Sequence, residues 1–81
     1  MLKIYGSMLC RDCVQCREEL DAAGVEFQFC DLGEELKWLK EFLKLRDGDA
    51  VYDEVREAGA IGIPTLLLPD GSVTLSWKQF L

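Results

Sequence analysis

The chain has 81 residues, of which 49% are hydrophobic and 30% charged, with a formal net charge of −6 and no His. That length and composition predict one globular domain spanning residues 1–81, with no apolar run long enough to cross a membrane. The acidic balance excludes a nucleic-acid partner, which needs a basic face, and the lack of His removes His-based acid–base catalysis, His metal ligands and Cys–His nucleophile pairs.

Leu2–Tyr5 alternates, with Leu2 and Ile4 on one face, and predicts a short strand broken by Gly6-Ser7. From about Cys13 to Ala23, the side chains of Cys13, Cys16, Leu20 and Ala23 form one helical apolar stripe. Asp12 stands at the start of that helix and Gly24 where a closing glycine belongs. Val25–Leu32 predicts a second strand, with Val25, Phe27 and Phe29 on one face and Cys30 on the other. Strand, helix and strand in this order fit a right-handed βαβ unit with parallel strands.

Gly33 to about Arg46 reads as the clearest helix, with Leu36, Leu39, Phe42 and Leu43 in one inward stripe widened by Trp38 and Leu45. Asp47-Gly48-Asp49 ends it, and Ala50–Ala58 predicts a third helix with Val51, Val55 and Ala58 inward. Ile63-Pro64 then leads into an apolar strand, Thr65–Leu68, and Pro69-Asp70-Gly71 turns the chain back along Ser72–Ser76 as an antiparallel hairpin. Trp77–Leu81 adds one last turn. The order β-α-β-α-α-β-β predicts an α/β fold, with a mixed four-stranded sheet and helices on both faces.

The N-terminus leads into no signal-like apolar run, so the expected compartment is the cytoplasm. Structural disulfides are rare there, and clustered Cys point to redox chemistry or metal binding rather than to a two-disulfide framework. Four Cys are present, three of them between positions 10 and 16. Cys10-Arg11-Asp12-Cys13 is a Cys-x-x-Cys motif where a loop runs into a helix. A helix N-terminus favours a thiolate, which is the nucleophile of disulfide exchange. Cys10 is therefore the candidate nucleophile and Cys13 the candidate resolving thiol. A second match, Cys13-Val14-Gln15-Cys16, would start its nucleophile inside the helix facing the core, so the first frame is preferred. The alternative is a cysteine-ligated zinc or iron–sulfur site from Cys10, Cys13 and Cys16 with Cys30 as fourth ligand. Against it, three Cys spread over more than one helical turn need a distorted start to close a tetrahedron. Cys16 and Cys30 otherwise read as core residues. Pro64 belongs at the start of its strand, because proline cannot donate to a sheet ladder.

With these features in place, the chain resembles the glutaredoxin family. The matching stretches are Ile4-Tyr5-Gly6 before the Cys pair, Cys10-Arg11-Asp12-Cys13, the Glu18–Phe27 helix–strand junction, Asp31, and Gly62-Ile63-Pro64-Thr65. The resemblance implies a thioredoxin-like fold, thiol–disulfide exchange, and a cis Pro64 facing the Cys pair, with Ile63 pairing its backbone to the substrate. Arg11 and Asp12 stand where the family has Pro and Tyr, and with Ile63 and Pro64 they complete the expected substrate-binding set. The family's Lys before the first Cys and its Gly-Gly-x-Asp segment are replaced by Gly6-Ser7-Met8-Leu9 and Ser72–Trp77. The chain is thus expected to be a monomeric oxidoreductase with no cofactor. Its partner is a thiol or disulfide, protein or low-molecular-weight, with glutathione as one candidate co-substrate.

Overall fold

In the computed structural model, which describes residues 1–81, the opening alternation becomes strand β1 (Leu2–Gly6), apolar on both faces. Such a strand belongs inside a sheet, and β1 takes that place in the strand order β2-β1-β3-β4. Strand β2 (Phe27–Asp31) runs parallel to it, from Leu2↔Phe27 to Gly6↔Asp31. Strand β3 (Thr65–Leu67) runs antiparallel on its other side, with Tyr5 opposite Thr65, and β4 (Val73–Thr74) pairs antiparallel with β3. The βαβ crossover and the closing hairpin are both present, in shorter strands than the residue patterns suggest.

Helix α1 (Arg11–Ala22) packs Cys16 and Leu20 against Leu2, Ile4 and Leu66 on one sheet face. Trp77 and Phe80, from a closing 3-10 turn (Trp77–Phe80), pack against the same cluster. The Trp77 Nε1–H donates to Glu19 Oε1 at 2.8 Å, tying the C-terminal turn to α1. Gly24, at φ 75°, reverses the chain after α1 in a region that side chains with a Cβ rarely adopt. Its N–H bonds to the Asp21 carbonyl and the Val25 N–H to the Leu20 carbonyl, the two reverse bonds that close a helix C-terminus.

The opposite sheet face buries Tyr5, Cys30, Phe42 and Tyr52. The Phe42 and Tyr52 rings meet edge-on with centroids 6.2 Å apart. The Tyr5 hydroxyl donates to Glu41 Oε1 at 2.7 Å. Full burial of side chains of this size contributes roughly 1.5–3 kcal/mol each.

Two helix expectations are corrected. Helix α2 (Leu36–Gly48) starts at Leu36 rather than Gly33, because Asp31 organises the preceding turn. The Asp31 carboxylate accepts from the Gly33 N–H at 2.8 Å and its carbonyl from the Glu34 N–H at 3.2 Å. Leu36 and Leu43 are 71% and 43% exposed, while Trp38, Leu39, Phe42 and Leu45 of the expected stripe do pack inward. Beyond Asp49 the chain forms a 3-10 turn (Ala50–Tyr52) before the short helix α3 (Asp53–Glu57). The Asp49 carboxylate caps that turn through the Val51 N–H at 2.9 Å. The tighter turn shifts the helical phase, so Tyr52 points inward while Val51 and Ala58 are exposed. No helix is long and apolar enough to cross a membrane.

Candidate dithiol site

The site is built where β1 ends. The Ser7 carbonyl accepts from the Cys10 N–H at 3.0 Å, and the Ser7 hydroxyl accepts from the Leu9 N–H at 3.1 Å. This tight turn delivers Cys10 as the residue capping α1, with φ −96° and ψ 121°. Cys10 is partly exposed and makes no capping hydrogen bond.

Cys13 is fully buried. Burial pushes its thiol up to about 12, and the neighbouring Cys10 sulfur adds to the shift, while the Ser7 backbone opposes it. The pair is therefore asymmetric, with an accessible sulfur at the helix end and a protonated partner behind it. Cys13 also packs against bare backbone. A Cβ built on Gly6 would lie 2.8 Å from the Cys13 Sγ.

The facing wall is the segment before β3. The Ile63–Pro64 peptide bond is cis, and Pro64 is buried. The β1–β3 register, carried one step past Tyr5↔Thr65, sets Pro64 opposite Gly6. Hydrogen bonds from distant elements hold this segment. Arg46 of α2 donates to the carbonyls of Ala60 at 2.6 Å and Ile61 at 2.9 Å. The Thr65 hydroxyl donates to the Gly62 carbonyl at 2.6 Å and shares a 2.7 Å hydrogen bond with the buried Tyr52 hydroxyl. Between the two walls lies a hollow of about 500 Å³, lined by Leu9, Cys10, Ile61 and Ile63 among others.

The structure thus brings Cys10, Cys13, Ile63 and Pro64 to one end of the sheet. Arg11 and Asp12 are exposed on the first turn of α1 and take no part in lining the hollow. Cys16 packs on the α1 face of the sheet and Cys30 on the other, so the four sulfurs do not converge. No group of three or more Cys, Asp or Glu side chains within the chain is placed to hold a metal ion. Burial raises the Cys16 thiol to about 11 and raises the Cys30 thiol as well, as expected of packed, inert sulfur.

Gly6 and Thr65 lay in stretches that carry the family resemblance but were given no role in the site, and Arg46 and Tyr52 contribute without having stood out in the sequence. Gly6 offered one signal, a glycine directly before the Cys loop. The others act across long sequence separations that local pattern does not encode.

Fold and site together define a small α/β chain carrying a thiol pair at the start of its first helix. The chain belongs to the same family as a Haemophilus influenzae protein described only as uncharacterized. The two are 41% identical over 76 residues, covering 94% of this chain and 88% of that one. No family model matches the chain. No solved structure matches it either.

Proposed function

We propose that this chain is a glutaredoxin-like thiol–disulfide oxidoreductase with a thioredoxin-like fold. The fold reading is supported by the strand order β2-β1-β3-β4, with β1 and β2 parallel, β3 antiparallel to β1, and a cis proline entering β3. One observation carries the functional reading. The partly exposed Cys10 caps α1, beside a hollow it shares with Ile63, and Cys13 lies buried one helical turn further on.

In the proposed reaction the Cys10 thiolate attacks one sulfur of a substrate disulfide R–S–S–R′. The new Cys10–S–R bond forms as the S–S bond breaks, and R′–S⁻ leaves and takes up a proton. Cys13 then loses its proton and attacks Cys10, giving the Cys10–Cys13 disulfide and R–SH. Two electrons and two protons pass from the protein dithiol to the substrate, and an external thiol restores the dithiol. Ile63 and Pro64 shape the wall against which the substrate lies. Arg11 and Asp12 flank the pair from the solvent side.

Iodoacetamide labelling and reduction of hydroxyethyl disulfide test the reading. Cys10 should alkylate faster than free cysteine at pH 7. Cys10→Ser should abolish reduction, and Cys13→Ser should accumulate a mixed disulfide on Cys10. Labelling no faster than free cysteine, with no disulfide reduced, refutes it.

A further inference from the structure

We infer that the substrate is a polypeptide disulfide whose cysteine is flanked by bulky apolar residues, bound along a groove that runs from Cys10 to α2. This inference rests on the oxidoreductase reading and names the substrate class of the same site. The hollow beside Cys10 does not end at Ile63. A second hollow of about 540 Å³ shares Ser7, Ala60, Ile61 and Ile63 with it and continues to Leu39 and Leu43 of α2. The two form one open channel with a reactive sulfur at one end.

The chemistry of the lining selects the occupant. Apolar surface dominates both hollows, and Leu9 and Ile61 are 99% and 59% exposed along it. The lining holds one charged side chain, Arg46, which is turned onto the Ala60 and Ile61 carbonyls. Exposed Glu34 and Asp47 adjoin the lining in sequence, as do exposed Arg11 and Lys44, in a chain of net charge −6. A small anionic thiol compound would find no free cation among the lining residues, in a chain whose net charge disfavours anions. An extended peptide with an apolar residue beside its cysteine covers the channel, and a neutral or basic sequence suits its rim. The exposed leucine of α2, Leu43, is then a contact for the substrate and not a packing failure.

The test uses pre-reduced full-length protein in single-turnover reactions, with thiol release quantified after acid quench. The substrates are 2-mercaptoethanol mixed disulfides of three thiols: a Lys-Leu-Cys-Leu-Phe peptide, a Glu-Ser-Cys-Ser-Glu peptide, and glutathione. Hydroxyethyl disulfide is the small neutral reference. The apolar peptide should react at least about tenfold faster than the acidic peptide and the glutathione disulfide. In Leu43→Glu, the rate ratio of apolar peptide to hydroxyethyl disulfide should fall about tenfold. In Leu36→Glu, which adds the same charge on α2 outside the channel, that ratio should stay at the wild-type value. Circular dichroism checks that both variants fold, and Leu43→Ser gives a neutral second perturbation. Equal rates for the three mixed disulfides, preference for glutathione, or an equal fall in Leu43→Glu and Leu36→Glu overturns the inference while leaving the oxidoreductase reading intact. No reduction of hydroxyethyl disulfide by the wild type overturns both.

Discussion

Gly6→Ala isolates the contact between the backbone of β1 and the sulfur of Cys13. Gly6 does not have a positive φ, so the backbone itself accepts alanine, and the effect is purely steric. The added Cβ would sit 2.8 Å from the Cys13 Sγ, 3.3 Å from its Cβ and 3.4 Å from Phe29 Cε1. Comfortable non-bonded separations run to roughly 3.5–4.0 Å, so the sulfur must retreat by about 0.7–1.2 Å. Overpacking of this kind costs about 1–3 kcal/mol of stability, and a displacement of about 1 Å in a reacting group slows its chemistry by up to about 100-fold. The slowed step is attack by Cys13 on the mixed disulfide, because Cys10 lies across the turn from the clash. Quenched-flow mass spectrometry of the Cys10 mixed disulfide should therefore show a lifetime about 10–100 times that of the wild type. Urea denaturation should show a lower midpoint. Wild-type lifetime together with wild-type stability refutes the close-contact argument.

Stability should also respond to pH in a defined direction. Cys13 and Cys16 are raised from 9.0 to about 12 and about 11, so the folded state holds their protons more tightly than the unfolded chain does. Their contribution is fully present below pH 9 and is lost as pH rises towards 11–12. Urea midpoints should fall between pH 8 and pH 10.5, and should fall less steeply in Cys16→Ala; a midpoint that is flat or rises contradicts the burial of these thiols. Arg46→Met removes both hydrogen bonds to the segment before Ile63. Backbone amides of residues 60–63 should then exchange faster with deuterium, and the KM for a peptide disulfide should rise; unchanged exchange there means that Thr65 and Tyr52 suffice to hold the wall.

Much of the architecture was legible because it rests on local period and punctuation. Leu2 and Ile4, then Val25, Phe27 and Phe29, mark one sheet face by alternation, and those residues do meet in one cluster. Gly24 and the Pro69–Gly71 turn mark reversals that the chain makes. The second crossover was less legible. A single helical period begun at Ala50 put Val51 and Ala58 inside, whereas the capped 3-10 turn sets a different phase and buries Tyr52. Leu36 and Leu43 satisfied the period of α2, but hydrophobicity alone does not distinguish a core residue from one facing a groove. At the site, Cys10, Cys13 and the Ile63-Pro64 pair were visible as motifs. The supports were not, because Arg46 and Tyr52 act on residues 60–65 through contacts that only the folded chain creates.

The burial of sulfur also sets the valency of the molecule. Cys13, Cys16 and Cys30 each have 0% of their surface exposed, and Cys10 alone reaches the outside. With a single outward sulfur, folded chains exposed to air can be joined covalently in pairs, but no third chain can be added. In the proposed reaction Cys13 attacks any such link, so oxidation of folded chains ends at the Cys10–Cys13 disulfide of single chains, whereas a partly unfolded population, with all four sulfurs available, would polymerise into ladders on a non-reducing gel.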